Sequence, residues 1–162
     1  MMTHIPGFKR AAVFVFLRNG DHYLLLKRTK MPYLGVHAPI GGKIEAHETP
    51  HEAIARETFE ETGLQPTCFR FCGLLTETSP IDYNWISYVY VADIDYIDPP
   101  LSDEGTLHWI HKDRLSTVTI PPTDGPILKF IDENRIFILN AIFDSKMHLL
   151  EMTEELQKER IL

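Results

Sequence analysis

The chain reads as an α/β protein of the α+β kind, a mixed sheet with helices on its faces, and three observations predict it. Apolar, β-favouring runs recur between turn signals along most of the sequence, two segments carry helical periodicity with start signals, and no internal repeat appears. At 162 residues, positions 1–162 are expected to form one domain that buries its core without disulfides or a structural metal.

The first element is a hairpin. Residues 11–17 and 22–28 are apolar strands joined around Asn19-Gly20, a dipeptide suited to tight turns. Residues 29–41, rich in Pro and Gly, predict a loop with a short strand near 36–40. Thr49-Pro50-His51-Glu52 then combines an N-cap, a proline at the first helical position and a glutamate three residues after the cap. A helix is expected to about Thr62, where Gly63 ends it in the left-handed conformation. Ile54, Ala55, Thr58 and Phe59 are expected to face the core, and Glu57, Glu60 and Glu61 to project together.

Residues 68–77 and 85–94 read as two further strands, joined by a polar loop through 79–83, and 98–105 as a loop before a short strand at 106–111. A second helix is expected over 124–137, with Asp124 as its cap and Ile127, Leu128 and Ile131 at core spacing. A last hairpin, 140–143 with 148–152, leads into a short charged helical tail.

Composition narrows the function. A formal net charge of −7 argues against a protein that holds a nucleic-acid polymer, whose phosphates call for clustered Lys and Arg. A small anionic ligand remains compatible if divalent cations stand between it and the carboxylates. The start lacks the apolar stretch of a signal peptide and no run approaches spanning length, so no membrane is expected and the cytoplasm is the expected location. Cys68 and Cys72 lack the spacing of redox or zinc pairs and are expected to be reduced.

The segment 42–64 carries the chemistry. Gly42, Glu48, Arg56, Glu57, Glu60, Glu61 and Gly63 stand at fixed spacings; with each type used at about 7%, the coincidence has odds on the order of 10⁻⁸ per starting position. Carboxylates at i, i+3 and i+4 repel one another by roughly 0.2–0.5 kcal/mol per pair, so a compensating cation is expected. Mg²⁺ meets that need: it binds through a few carboxylates and keeps waters and substrate phosphates in its other positions. It would neutralise and orient a diphosphate and acidify a water, which is the equipment of phosphoanhydride hydrolysis. Arg56 can pair with Glu48 or Glu57 and orient a carboxylate.

These residues resemble the Nudix box: a glycine, five residues, a glutamate, seven residues, then Arg-Glu-(aliphatic)-x-Glu-Glu-x-Gly-(aliphatic). The one departure is Thr58, where the family usually has an aliphatic residue. The resemblance implies an α/β/α sandwich that hydrolyses a nucleoside diphosphate linked to another group with Mg²⁺ or Mn²⁺. Arg56, Glu57, Glu60, Glu61 and Glu104 are then the expected catalytic residues. Gly42, Glu57, Glu60, Glu61 and Glu104 are expected at the metal, supported by Glu48 and Gly63.

The box names the bond and leaves the substrate to other residues. Ser102-Asp103-Glu104-Gly105 is similar to a segment of the family's oxidised-purine nucleoside triphosphatases that brings a further glutamate to the metals, which makes Glu104 a ligand or general base. Asp124 lies where those enzymes place a base-recognising aspartate, although capping a helix explains it equally. Ala38 departs from them, standing where an asparagine contacts the modified guanine. Pro80 is placed like a marker of ADP-ribose pyrophosphatases. The expected substrate is a purine (d)NTP such as 8-oxo-dGTP, giving monophosphate and pyrophosphate; ADP-ribose is the alternative and a non-catalytic nucleotide sensor the third reading. Tyr83, Trp85 and Trp109 can stack on a base or fill the core, and His37, His47 and His51 read as loop or surface residues. The partner is a small nucleotide, and the protein a monomer or homodimer.

Overall fold

The computed structural model describes residues 8–31 and 33–162. The first residues, read above for a leader, and Pro32 in the 29–41 loop lie outside them. Strands β1 (Arg10–Asn19) and β2 (His22–Arg28) form the opening hairpin, followed by β3 (His37–Ala38), β4 (Ile40–Lys43) and helix α1 (Pro50–Thr62). After these come β5 (Arg70–Thr78), β6 (Trp85–Asp93), β7 (Leu101–Ser102), β8 (Gly105–His111), α2 (Asp124–Asp132), β9 (Phe137–Phe143), β10 (Leu149–Glu154) and β11 (Glu159–Arg160). In the first hairpin Asn19 pairs with His22, so Gly20 and Asp21 make the turn, with Gly20 at φ +56°.

The sheet is mixed, in the order β11-β10-β9-β5-β6-β1-β2-β8-β7. β1 runs parallel to β6, and β5 parallel to β9; the other pairs are antiparallel. Opposite β6, strand β1 changes partner along its length. Ala12 to Val15 pair with Lys43 to Ile40 of β4, whereas Leu17 to Asn19 pair with Leu24 to His22 of β2. The sheet therefore forks at β1, and the fork opens a cavity.

Both faces of the sheet are buried. Val13, Val15 and Leu17 pack with Leu24, Ile40, Ala53 and Ile54 under α1. Phe16, in the opposite phase of the same strand, packs with Leu75, Val89, Ile127, Ile131 and Phe137 under α2. Two helices on opposite faces of one sheet make the expected α/β/α sandwich.

Several elements differ from the sequence reading. α1 buries Ala53, Ile54, Thr58 and Thr62, while Ala55 and Phe59 face outward, Phe59 at 52% exposure. Threonine is tolerated in that face because its hydroxyl bonds back one turn: Thr58 donates to the Ile54 carbonyl at 2.7 Å and Thr62 to that of Thr58 at 2.6 Å. Thr58 thus packs without an aliphatic side chain. α2 stops at Asp132, short of 137, because Asn134 turns left-handed at φ 52° and the Arg135 N–H returns to the Phe130 carbonyl at 2.9 Å.

The charged tail is a hairpin strand instead of a helix. Glu154 is buried and accepts N–H bonds from Ile138, Leu156 and Gln157, and this holds the turn into β11. The 3₁₀ segment Lys112–Thr117 and the short β7 were not anticipated. Cys72 is buried and Cys68 exposed; both are free thiols. Among the described residues no helix is long and apolar enough to cross a membrane.

Candidate active site

The carboxylate helix begins where its sequence says it should. The Thr49 hydroxyl accepts the Glu52 N–H at 3.2 Å, and the Glu52 carboxylate accepts the Thr49 N–H at 2.8 Å. Gly63 ends it at φ 72°, its N–H bonded to the Phe59 carbonyl at 2.8 Å. Both ends are fixed, so the helix presents its acids in one orientation.

Arg56 organises those acids. Its Nε and Nη2 grip both oxygens of Glu48, the Nη2 bond being 3.0 Å, and Nη2 also donates to the Lys43 carbonyl at 3.1 Å. Nη1 donates to Glu57 at 3.0 Å and to Glu60 at 3.2 Å. Of the two partners open to Arg56 from the sequence, it takes both. The Arg56 guanidinium, with the Glu45 N–H, holds the Glu48 carboxyl down at about 2, and the same bond raises the guanidinium. Glu48 and Arg56 therefore stay charged and tie the loop after β4 to α1.

Glu57 lies against β4. A Cβ at Gly42 would overlap the Glu57 carboxylate, so only glycine allows this approach. Burial pushes Glu57 upward against the pull of Arg56. Glu61 is more enclosed: burial, then the charges of Glu57 and Glu104, push it up to about 8, opposed by a Gly41 backbone bond and Arg28. Its Oε2 is buried with no hydrogen-bond partner. Glu60 is more open, its side chain 56% exposed.

Glu104 arrives from the β7–β8 turn, across from α1. Its carboxylate meets Lys30 Nζ at 3.2 Å and acts electrostatically on Glu61. Gly105, at φ 156°, passes so close to the Lys27 carbonyl that a Cβ there would clash. Glu57, Glu61 and Glu104 are thus brought together, with Glu60 tied to the same cluster through Arg56.

These residues fit a hard divalent cation. Glu57 and Glu61, half-buried and repelling each other, the latter with an orphaned oxygen, are costly to ionise alone and suited to oxygen-ligated Mg²⁺ or Mn²⁺. A second acidic set, Glu45, His47 and Glu48, places ligand atoms within 4.8 Å of one another. Its Glu48 oxygens are already committed to Arg56, which leaves it poorly suited to an ion.

The cavity in the fork adjoins this cluster. It measures about 300 Å³ and is lined by Phe14, Ala38, Gly42, Tyr83, Trp85 and Asp124, among others. Ala38 lies on its wall, while Pro80 is exposed in the 79–84 loop and is not among the lining residues. That loop is tied by Ser79 and Asn84: the Ser79 N–H donates to the Asn84 side chain at 2.9 Å and the Ser79 hydroxyl to the Tyr83 carbonyl at 2.8 Å.

Asp124 does not cap α2. The cap is Thr123, which makes no side-chain capping bond, and Asp124 is buried at 3% exposure with its Oδ2 unpartnered. Trp109 donates its indole N–H to the Ile97 carbonyl at 2.8 Å and stacks on Tyr96, away from the cavity. His47 and His51 are exposed; His37 lies half-buried against His108.

Sequence reasoning missed Arg28, Tyr33 and Glu77, all of which line the cavity. The signal for Glu77 was available. It stands in the same phase of β5 as the buried Leu75, where alternation calls for an apolar side chain.

With this geometry in place, comparison with known proteins decides the family. The NUDIX domain model matches residues 8–131. The chain belongs to the Nudix family. It is 31% identical over 121 residues to the uncharacterized Nudix hydrolase YvcI of Bacillus subtilis, covering 71% of this chain and 74% of that one. It is 35% identical over 85 residues to an ADP-ribose pyrophosphatase of Methanocaldococcus jannaschii, covering 51% of this chain and 50% of that one. The NAD-capped RNA hydrolase NudC of Shigella dysenteriae is 25% identical over 134 residues, and the chain spans 49% of its length. The chain therefore spans about half the length of these last two relatives. The MutT protein structure from Bacillus halodurans shares the fold, with a TM-score of 0.79 at 24% identity over 90% of this chain and 97% of that one.

This Nudix protein is a hydrolase, of a family that generally uses divalent metals and acts on nucleotide-linked substrates.

Proposed function

We propose that this Nudix hydrolase cleaves a purine nucleoside triphosphate to the monophosphate and pyrophosphate. One observation carries the reading: a cavity large enough for a base, with aromatic walls, shares Gly42 with the carboxylate cluster. A base in the fork directs its phosphates past Arg28 toward Glu61. Trp85 and Tyr83 supply stacking faces.

Glu57, Glu60, Glu61 and Glu104, with Gly42, are the residues that hold Mg²⁺ or Mn²⁺. When bound, the ion neutralises the phosphates and lowers the pKa of a water. Arg56 keeps Glu57 and Glu60 in place, and Glu48 keeps Arg56 in place. Water attacks phosphorus, the phosphoanhydride P–O bond breaks, and the water's proton passes to a carboxylate of the Glu61–Glu104 pair.

ADP-ribose is the second reading, favoured by the 35% identity to the M. jannaschii ADP-ribose pyrophosphatase. Its adenosine would occupy the same cavity, with the cleaved diphosphate at the same glutamates. A panel of dGTP, 8-oxo-dGTP, ATP and ADP-ribose with Mg²⁺ or Mn²⁺ tests both by product. Pyrophosphate from a triphosphate supports the first reading; AMP from ADP-ribose with inert triphosphates replaces it with the second.

A further inference from the structure

Arg56 and Lys30 reach the carboxylate cluster from different elements and are held there in different ways. Arg56 is locked, because its guanidinium bonds Glu48, Glu57, Glu60 and the Lys43 carbonyl together. Lys30 comes from the segment after β2, and its Nζ meets Glu104 Oε1 at 3.2 Å with the Lys30 side chain 59% exposed and that of Glu104 39%. An ion pair this open to water contributes little and is readily exchanged for another.

The backbone beneath it is not free to move away. The Thr29 N–H and the Thr29 hydroxyl both donate to the Glu104 carbonyl, at 3.3 and 3.1 Å, and β2 pairs with β8 up to Arg28 opposite Gly105. The main chain of Lys30 is therefore pinned beside Glu104, while its ammonium sits on a flexible four-carbon stem that can change partner. Arg28 stands two residues earlier, at most about 7 Å along the chain. It lines the fork cavity and acts on Glu61. The end of β2 thus carries two cations in line, one at the cavity and one at the far edge of the glutamates.

We propose that Lys30 is a phosphate-binding residue of this site: it yields Glu104 when a divalent cation binds there, and turns its ammonium to the outer phosphates of the nucleotide. The inference rests on the reading of Glu57, Glu60, Glu61 and Glu104 as the metal site. Charge drives the exchange in one direction. An ammonium and a divalent cation that share Glu104 repel each other, whereas an ammonium beside a polyphosphate gains a charge-assisted hydrogen bond. Lys30 therefore opposes the metal when the metal comes alone and assists it when the metal comes with phosphates.

Those opposite signs are the test, and both are read from binding without turnover. Mn²⁺ alone is titrated by electron paramagnetic resonance, and inorganic pyrophosphate by calorimetry at saturating Mn²⁺, for the wild type, Lys30→Gln and Lys30→Arg. Lys30→Gln is expected to bind Mn²⁺ about threefold tighter or more and pyrophosphate at least about tenfold more weakly. Lys30→Arg keeps the charge and should restore both. In a Glu104→Gln background, Lys30→Gln should lose most of its effect on Mn²⁺ binding, since the two act through one contact. Mn²⁺ binding that is unchanged or weaker in Lys30→Gln overturns the proposal, and so does unchanged pyrophosphate binding. Circular dichroism shows that each variant folds. If the opposite shifts appear but no nucleotide of the panel is hydrolysed, the hydrolytic reading falls and Lys30 keeps its role. Hydrolysis by a wild type whose two affinities do not respond to Lys30→Gln does the reverse.

Discussion

Arg56 and Glu48 form a two-pronged ion pair, with Nε and Nη2 of the guanidinium each on a different carboxylate oxygen. Glu48 thereby steadies the arginine that steadies Glu57 and Glu60. Lysine offers one point charge in place of the planar fork. Arg56→Lys is expected to reduce activity at limiting Mg²⁺ by about 10–100-fold, the usual effect of losing a partner that orients ligands. A Mg²⁺ titration of turnover checks this, with circular dichroism to show that α1 persists.

The same pair makes stability depend on pH in a defined window. Glu48 is held at about 2, below the ordinary 4.5, so its contribution is present above 4.5 and is lost as pH falls through about 2. Unfolding midpoints of the wild type and Glu48→Gln should differ at neutral pH and converge toward pH 2. A difference that stays constant over that range would assign the effect to packing instead of charge.

Gly42→Ala places a methyl group against the Glu57 carboxylate. The expected result is a folded protein with Glu57 displaced and activity lowered on the order of 10²-fold, as small misplacements at reacting centres do. Thermal unfolding together with kcat distinguishes this from general loss of structure.

Asp124 gives the opposite pH dependence to Glu48. Its folded value lies above the usual 3.8, so the native state holds a proton that the unfolded state releases, and stability falls as pH rises above 3.8. Asp124→Asn removes that loss. Its melting temperature should exceed that of the wild type at pH 7.5 and match it near pH 3.5, with each kcal/mol worth about 2–4 °C for a chain of this size.

Removing the metal should abolish turnover, and adding it should stabilise the fold. Crowded carboxylates repel until a cation binds, and saturation at 100-fold above the dissociation constant contributes about 2.7 kcal/mol. Melting in EDTA against melting in excess Mg²⁺ measures this, and the shift should shrink in Glu57→Gln and Glu61→Gln.

Local signals were legible where they act locally. The capping box at Thr49, the left-handed Gly63 and the first hairpin depend on neighbours in the chain, and each appears as read, except that the hairpin's turn is Gly20-Asp21, with Asn19 paired in the strand. The carboxylate helix was legible for the same reason. Its rotation was not: Ala55 and Phe59 face outward because Thr58 and Thr62 satisfy their hydroxyls within the helix, an outcome that apolar periodicity does not register. The tail was misread because the β10–β11 turn hangs on one buried acid, Glu154, bonded to Ile138 of the neighbouring strand. Asp124 offered two roles to the sequence, and only the fork at β1 shows that it faces a cavity rather than the end of its own helix. Glu77 was overlooked because its partners, Tyr83 and Asp124, come from a separate loop and helix.

The central claim is that the α1 glutamates direct metal-dependent cleavage of a phosphoanhydride. Its most direct test is product analysis of the nucleotide panel with Mg²⁺ for the wild type beside Glu61→Gln. The account predicts monophosphate and pyrophosphate from a purine triphosphate, with turnover by Glu61→Gln lower by on the order of 10²–10³-fold in a protein that still folds. Unchanged turnover by Glu61→Gln would contradict it.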